Sequence, residues 1–182
     1  GADALRIYEM FMGPLQDSKP WSTEGLTGIT RFLDKVWLVS RKISESQGTK
    51  TIVTKEAKNK LAQLKAETIK KVTQDIEGFR FNTAISSLMI YTNTLLETDA
   101  DLDKGFLISL IKLLNPFAPH ITEEIWQTML LKKTPLELEP WPKWVEKDME
   151  KKTAIIAVQI NGKFRGNIEA SLGLTQVAVL DL

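Results

Sequence analysis

The chain has 182 residues, 43% hydrophobic and 26% charged, a size at which folding buries roughly 70% of the unfolded surface without help from a metal or a disulfide. It contains no cysteine, which excludes thiol catalysis, thiolate metal sites and a disulfide framework; no apolar run approaches the roughly 20 residues that span a bilayer, and Gly1-Ala2-Asp3 lacks a signal-peptide layout, so a soluble, cytoplasmic, membrane-free domain is expected. The net charge of +1 averages over segments of opposite sign, since residues 53–80 carry seven Lys or Arg against four acids and residues 81–130 carry two against six.

Leu5, Tyr8 and Met12 recur at helical spacing until Gly13-Pro14 stops the hydrogen-bond ladder, which predicts a short first helix. After a loop holding Trp21, Leu26, Ile29, Leu33, Val36, Ser40 and Ile43 keep one face of a long second helix. Its other side carries Arg31, Lys35, Leu38, Arg41 and Lys42 as a basic stripe, three or four residues apart. A polar stretch at Gln47-Gly48-Thr49 leads to a third helix with Ala57, Leu61, Leu64, Val72, Ile76 and Phe79 facing inward and Lys55, Lys58, Lys65, Lys70 and Lys71 outward.

Asn82 is a candidate cap for a fourth helix with Ile85, Leu88, Thr92 and Leu95 as its buried line. Acidic residues 97–103 connect it to a fifth helix over about 104–114, apolar nearly all round and so expected at the centre of a bundle. Asn115-Pro116 ends that helix. Pro119 suits the first turn of a sixth, with Ile121, Ile125, Trp126 and Met129 as its stripe and Glu123 and Glu124 complementing its dipole. Residues 132–152, with Pro135, Pro140 and Pro142 among charges and tryptophans, read as an extended, partly packed linker between a helical domain at 1–131 and a further segment at 153–182. There Ile156, Val158 and Ile160 alternate, Asn161-Gly162 suits a type I′ hairpin turn, a second strand runs from Lys163 to about Ala170, and Thr175–Leu182 opens a helix. A hairpin and a helix stub are too small to stand alone, so this segment is expected to be the start of a truncated α/β domain.

No phosphate-binding loop, dinucleotide fingerprint, nucleophile elbow or zinc-protease motif occurs. The single histidine, His120, has no second ligand for a zinc site and reads as structural, and Asp101 and Asp103 read as a solvated loop rather than an acid–base pair. No catalytic and no metal residues are expected. The basic stripes fit a polyanion, because Lys and Arg displace its counterions. Lys163 and Arg165 add two cations beside the tight turn, where they equally protect a sheet edge. These features alone describe an α-helical binding module.

Several segments together resemble the bacterial leucyl-tRNA synthetases, in the part following their lysine-rich ATP-site loop. They are Gly1-Ala-Asp-Ala-Leu-Arg6, Tyr8-Glu-Met-Phe-Met-Gly-Pro-Leu15, Ser18-Lys-Pro-Trp21, Arg31-Phe-Leu-Asp-Lys-Val-Trp37, Phe81-Asn-Thr-Ala-Ile-Ser86, Asn115-Pro-Phe-Ala-Pro-His120, Trp141-Pro142 and Val158-Gln-Ile-Asn-Gly-Lys163. The resemblance covers essentially the whole chain and implies a helical bundle of the class I synthetase anticodon-binding type followed by a short β-hairpin. It further implies a role in positioning tRNA(Leu), on phosphate contacts from Arg31, Lys35, Arg41, Lys42, Lys70, Lys71, Lys163 and Arg165, with Arg6 at an interface to the catalytic domain of the same polypeptide. In the full enzymes, a separate Rossmann domain ligates leucine to tRNA with ATP and Mg. This portion, without H-I-G-H or K-M-S-K-S, is expected to be an inactive, cofactor-free part of a monomeric ligase. Leu131-Lys-Lys-Thr-Pro135 departs from the family in lacking an expected glycine. The rivals are the equivalent domain of a valyl- or isoleucyl-tRNA synthetase, disfavoured by Tyr8–Leu15, and a helical protein-interaction module.

Overall fold

In the computed structural model, residues 1–18, 20–46, 54–99, 102–149, 153–161 and 163–171 are described, and the chain divides into two compact units, residues 1–148 and 149–182. The expected polar stretch at Gln47–Thr49 and the helix at Thr175–Leu182 lie outside the described residues.

The first unit is a helical bundle of α1 (Ala2–Phe11), α2 (Thr23–Ser44), α3 (Lys55–Glu77), α4 (Phe81–Glu97), α5 (Lys104–Leu114) and α6 (Pro119–Glu124). α6 runs into a π-helical stretch, Ile125–Met129. α4 lies against α1, α2, α3 and α5, and α5 touches α2, α3, α4 and α6. Their side chains form the core: Ile85, Leu88, Tyr91, Leu95, Leu107, Leu110, Ile111, Leu113 and Leu114 have no measurable exposure, as the all-round apolar character of the fifth helix predicts. Each fully buried aliphatic side chain of this kind contributes about 1.5–3 kcal/mol.

Two expectations are corrected at the turn between α3 and α4. Phe79 is 67% exposed rather than inward, because α3 ends in a Schellman-type closure in which Arg80 N–H donates to the Asp75 carbonyl (2.7 Å) and Phe79 N–H to that of Ile76 (3.1 Å). Phe79 takes φ 55° to close it, a conformation disfavoured by about 1 kcal/mol or more in a residue with a Cβ. Gly78 has its own reason: a Cβ there would sit 2.2 Å from Arg80 Nη1, which folds back over the helix end. Asn82 does not cap α4. The helix already begins at Phe81 with Arg80 at the cap position, and Asn82 lies within the first turn.

Elsewhere the ends of helices follow local chemistry. Thr54 accepts from Ala57 N–H at the start of α3, and Asp103, read as part of a solvated loop, accepts from Gly105 N–H (2.7 Å) to cap α5. Past the π-helical stretch, Leu131 takes φ 55°, in the segment where the resemblance leads one to expect a glycine. Residues 132–148 lie in the first unit and pack along it: Leu136 is 2% exposed, Trp126 Nε1 donates to the Thr134 carbonyl (2.7 Å), Lys112 pairs with Glu139 (3.1 Å), and Trp141 Nε1 donates to Thr73 Oγ1 (2.8 Å). Glu123 and Glu124, expected to complement the dipole of α6, lie beyond its first turn, and Glu123 instead accepts from Leu136 N–H (2.8 Å).

The second unit holds an antiparallel hairpin of β1 (Thr153–Ile160) and β2 (Lys163–Ser171). Asn161 at the turn has φ 52°, as the first position of a type I′ turn requires. The register shifts between Val158, opposite Gly166, and Gln159, opposite Phe164, leaving Arg165 as the extra residue of a bulge.

Candidate nucleic-acid interface

α1 is clasped to the turn that follows α5 by two side chains one helical turn apart. Asp3 accepts from His120 Nδ1 (2.7 Å), from His120 N–H (3.3 Å) and from Ile121 N–H (2.7 Å), and so caps the start of α6 from another helix. Arg6 donates from Nη2 to the Pro116 carbonyl (2.8 Å) and from Nε to that of Phe117 (3.3 Å). Its guanidinium thus holds the end of α5 within this unit. Asn115 Oδ1 accepts from the buried Thr122 hydroxyl (2.8 Å), which accounts for the compactness of Asn115–Thr122. At the other end of α1, Tyr8 accepts from Ser22 N–H (2.7 Å) and meets Trp21 edge to face, and a Cβ at Gly25 would lie 2.6 Å from the Tyr8 ring.

The α2 stripe divides into cations that face solvent and cations that brace the fold. Arg31 is exposed and makes no hydrogen bond or ion pair among the described residues. Lys35, also exposed, donates to Asn93 Oδ1 on α4 (2.8 Å). Two turns further Lys42 donates to the carbonyls of Leu95 (3.2 Å), Leu96 (2.8 Å) and Thr98, so its ammonium caps the C-terminus of α4 and faces the negative end of that helix. Arg41 pairs with Glu45 (3.0 Å) with both partners more than half exposed, an arrangement worth little and easily exchanged for another anion.

On α3, Lys70 pairs with Glu146 (3.3 Å). Lys71 pairs with Asp75, a buried carboxylate that also accepts from Arg80 Nε (3.0 Å) and Thr83 Oγ1 (2.7 Å). Burial pushes the Asp75 carboxyl up, but the bonds from Lys71, Thr83 and Arg80 together outweigh it and hold the group below its ordinary value. Lys70 therefore ties α3 to the segment at Glu146, and Lys71 steadies Asp75 within α3; of Arg31, Lys35, Arg41, Lys42, Lys70 and Lys71, the first two are exposed and make no ion pair among the described residues. Lys163 and Arg165 are exposed in the second unit. Asp3, Asn93 and Glu139 have no motif that marks them in the sequence; for Asp3 the available signal is its i, i+3 spacing from Arg6, which puts opposite charges on one helix face.

Among the described residues no group of three or more His, Cys, Asp or Glu could hold a metal ion, and no helix is long and apolar enough to cross a membrane. A cleft of about 270 Å³ is bordered by Tyr8, Glu9, Met12, Gly13, Pro14, Leu15, Asp17 and Trp21.

The family model for the anticodon-binding domain of tRNA ligase matches residues 59–180. The leucine–tRNA ligase of Borrelia turicatae is 44% identical over 182 residues, covering 100% of this chain and 20% of that protein, and that of Chlorobaculum parvum is 43% identical over 183 residues, covering 100% and 22%. The chain thus spans about a fifth of the length of the curated relatives it matches. A solved leucyl-tRNA synthetase from Agrobacterium radiobacter K84, in a ternary complex with tRNA and LeuAMS, superposes with TM-score 0.77 at 29% identity, covering 100% of this chain and 25% of that one. With a helical bundle and a family match over residues 59–180, the chain belongs to the family of anticodon-binding domains of tRNA ligases.

Proposed function

We propose that this chain is the tRNA-binding portion of a cytoplasmic leucine–tRNA ligase, and that it holds the body of tRNA(Leu) while leucine is activated with ATP and Mg elsewhere in the same polypeptide. The observation that carries the reading is the exposed pair Arg31 and Lys35 on α2, standing beside α4 while Lys42, Lys70 and Lys71 are engaged within the bundle. Arg31 has no partner among the described residues to give up, and Lys35 keeps two of its three N–H donors beyond the bond to Asn93, so both can meet phosphates whose released counterions drive association. Arg41 joins them by exchanging Glu45 for a phosphate, and Lys163 and Arg165 make phosphate contacts of their own from the second unit. The bundle contributes position rather than chemistry, so the chain alone carries out no aminoacylation, and as part of the ligase it works as a monomer.

The test is tRNA(Leu) affinity as a function of salt, for the chain and for its Arg31→Glu/Lys35→Glu variant. Neutralising about four phosphates gives a slope of log affinity on log salt of about −4. A flat salt dependence, or full affinity in the double variant, would overturn the assignment.

A further inference from the structure

Next to that cationic pair lies a helix face with an unusual composition. From Phe81 to Leu96, α4 carries no charged side chain. One side of it, with Ala84, Ile85, Leu88, Tyr91, Thr92 and Leu95, is core. The other presents Ser86, Ser87, Asn93 and Thr94 around Ile90, which is 60% exposed. A surface helix that meets only water ordinarily carries charges on its solvent face. An uncharged face of hydroxyls and an amide around an apolar centre suits a surface that is desolvated against a partner, where unpaired charges would be costly.

The hydrogen bonds say which partner. Ser86, Ser87 and Thr94 donate their hydroxyl hydrogens to the carbonyls of Asn82 (2.8 Å), Thr83 (3.0 Å) and Ile90 (3.1 Å), so their oxygen lone pairs are left to accept from outside. Asn93 accepts through Oδ1 from Lys35 (2.8 Å), which directs its amide N–H groups outward as donors. The face therefore offers acceptors and one donor group at helical spacing, with cations along the α2 edge. The ribose edge of an A-form duplex has the complementary pattern: 2′-hydroxyls that both donate and accept across a wide, shallow minor groove, apolar sugar faces between them, and phosphates at the rim.

We infer that the uncharged face of α4, centred on Ile90 and Asn93, reads the sugar edge of an A-form RNA stem whose phosphates are held by Arg31 and Lys35. This rests on the tRNA-binding reading above and adds to it the recognition of RNA as RNA. The face takes a paired stem by shape and 2′-hydroxyl, without regard to base sequence.

The experiment measures binding of the chain to an RNA hairpin and to the same hairpin with 2′-O-methyl riboses, which keeps the A-form and every phosphate but removes the hydroxyl donors. The methylated hairpin is expected to bind more weakly, by a factor of about five for each 2′-hydroxyl that the face engages. Ile90→Gln and Asn93→Leu, both uncharged, are expected to weaken RNA binding and to narrow the gap between the two hairpins. Equal affinity for both, with Arg31→Glu still weakening each, overturns the inference and leaves the phosphate reading standing. Indifference to both salt and Arg31→Glu overturns the two together. RNA affinity unchanged in the Ile90 and Asn93 variants would sink the inference as well.

Discussion

Asp3 on α1 and His120 at the start of α6 are 117 positions apart in the chain and joined at 2.7 Å, with the carboxylate buried and the imidazole 72% exposed. The asymmetry assigns their roles. Asp3 also accepts two backbone N–H groups of α6, so it supplies a helix cap from outside the helix, whereas the ring only steadies it. Asp3→Ala is expected to cost about 2–3 kcal/mol, through loss of the cap and the amides it leaves unsatisfied. His120→Ala, which leaves both backbone bonds, should cost under about 1 kcal/mol. Urea unfolding of the two variants checks this, and equal losses would show that the ring, not the cap, is the anchor.

Lys42 and Arg31 stand on one edge of α2 and should behave differently. Lys42→Met removes the ammonium that satisfies three carbonyls at the end of α4, so a loss of about 1 kcal/mol in stability is expected with the salt slope of tRNA binding unchanged. Arg31→Ala should leave stability within about 0.5 kcal/mol of the parent and reduce the slope by about 1. Thermal melting alongside binding titrations separates the two; a reduced slope in the Lys42 variant would return that residue to the interface.

This pair also shows what can be read from the sequence. The spacing of Arg31, Lys35 and Lys42 announces a stripe, since helical periodicity is a local property of the chain. Which cation meets water and which meets the carbonyls of Leu95 and Leu96 depends on a helix more than fifty residues away. The buried line of α4 and the central place of α5 are legible for the same local reason. Phe79 is not, because the helical phase of the apolar residues continues through it although the closure after Glu77 has already turned the chain. The cap that Asp3 supplies to a distant helix has no periodic signature, only its opposite-charge partner Arg6 one turn on.

Phe79 itself permits a stability test. It is a largely exposed aromatic at φ 55°, with a T-shaped approach to Phe81 at 5.9 Å as its compensation. Phe79→Gly relieves the backbone and gives up mostly exposed surface, so a net gain of about 0.5 kcal/mol is expected, the left-handed preference of glycine slightly outweighing the ring pairing with Phe81. Phe79→Val, β-branched in the same conformation, should lose about 1 kcal/mol or more. A glycine variant less stable than the parent would mean that the ring pairing dominates.

Asp75 sets the acid limit of the bundle. Its carboxylate is buried between α3 and α4 and held ionised by Lys71, Thr83 and Arg80, with a folded-state pKa below the ordinary value of 3.8. A depressed folded value means that the unfolded chain binds the proton more readily. The contribution to stability is therefore fully present above about pH 5 and is lost as pH falls through 3.8 toward the folded value. Asp75→Asn removes the charge while keeping the shape, leaves Lys71 and Arg80 to solvent, and places a donor where Thr83 also donates. A loss of about 2 kcal/mol at neutral pH is expected, shrinking as the parent is acidified. The check is unfolding free energy of parent and variant measured from pH 7 down to the acid transition. Convergence of the two curves at low pH is the expected result, and a gap that stays constant with pH would show that Asp75 acts through packing rather than through its charge.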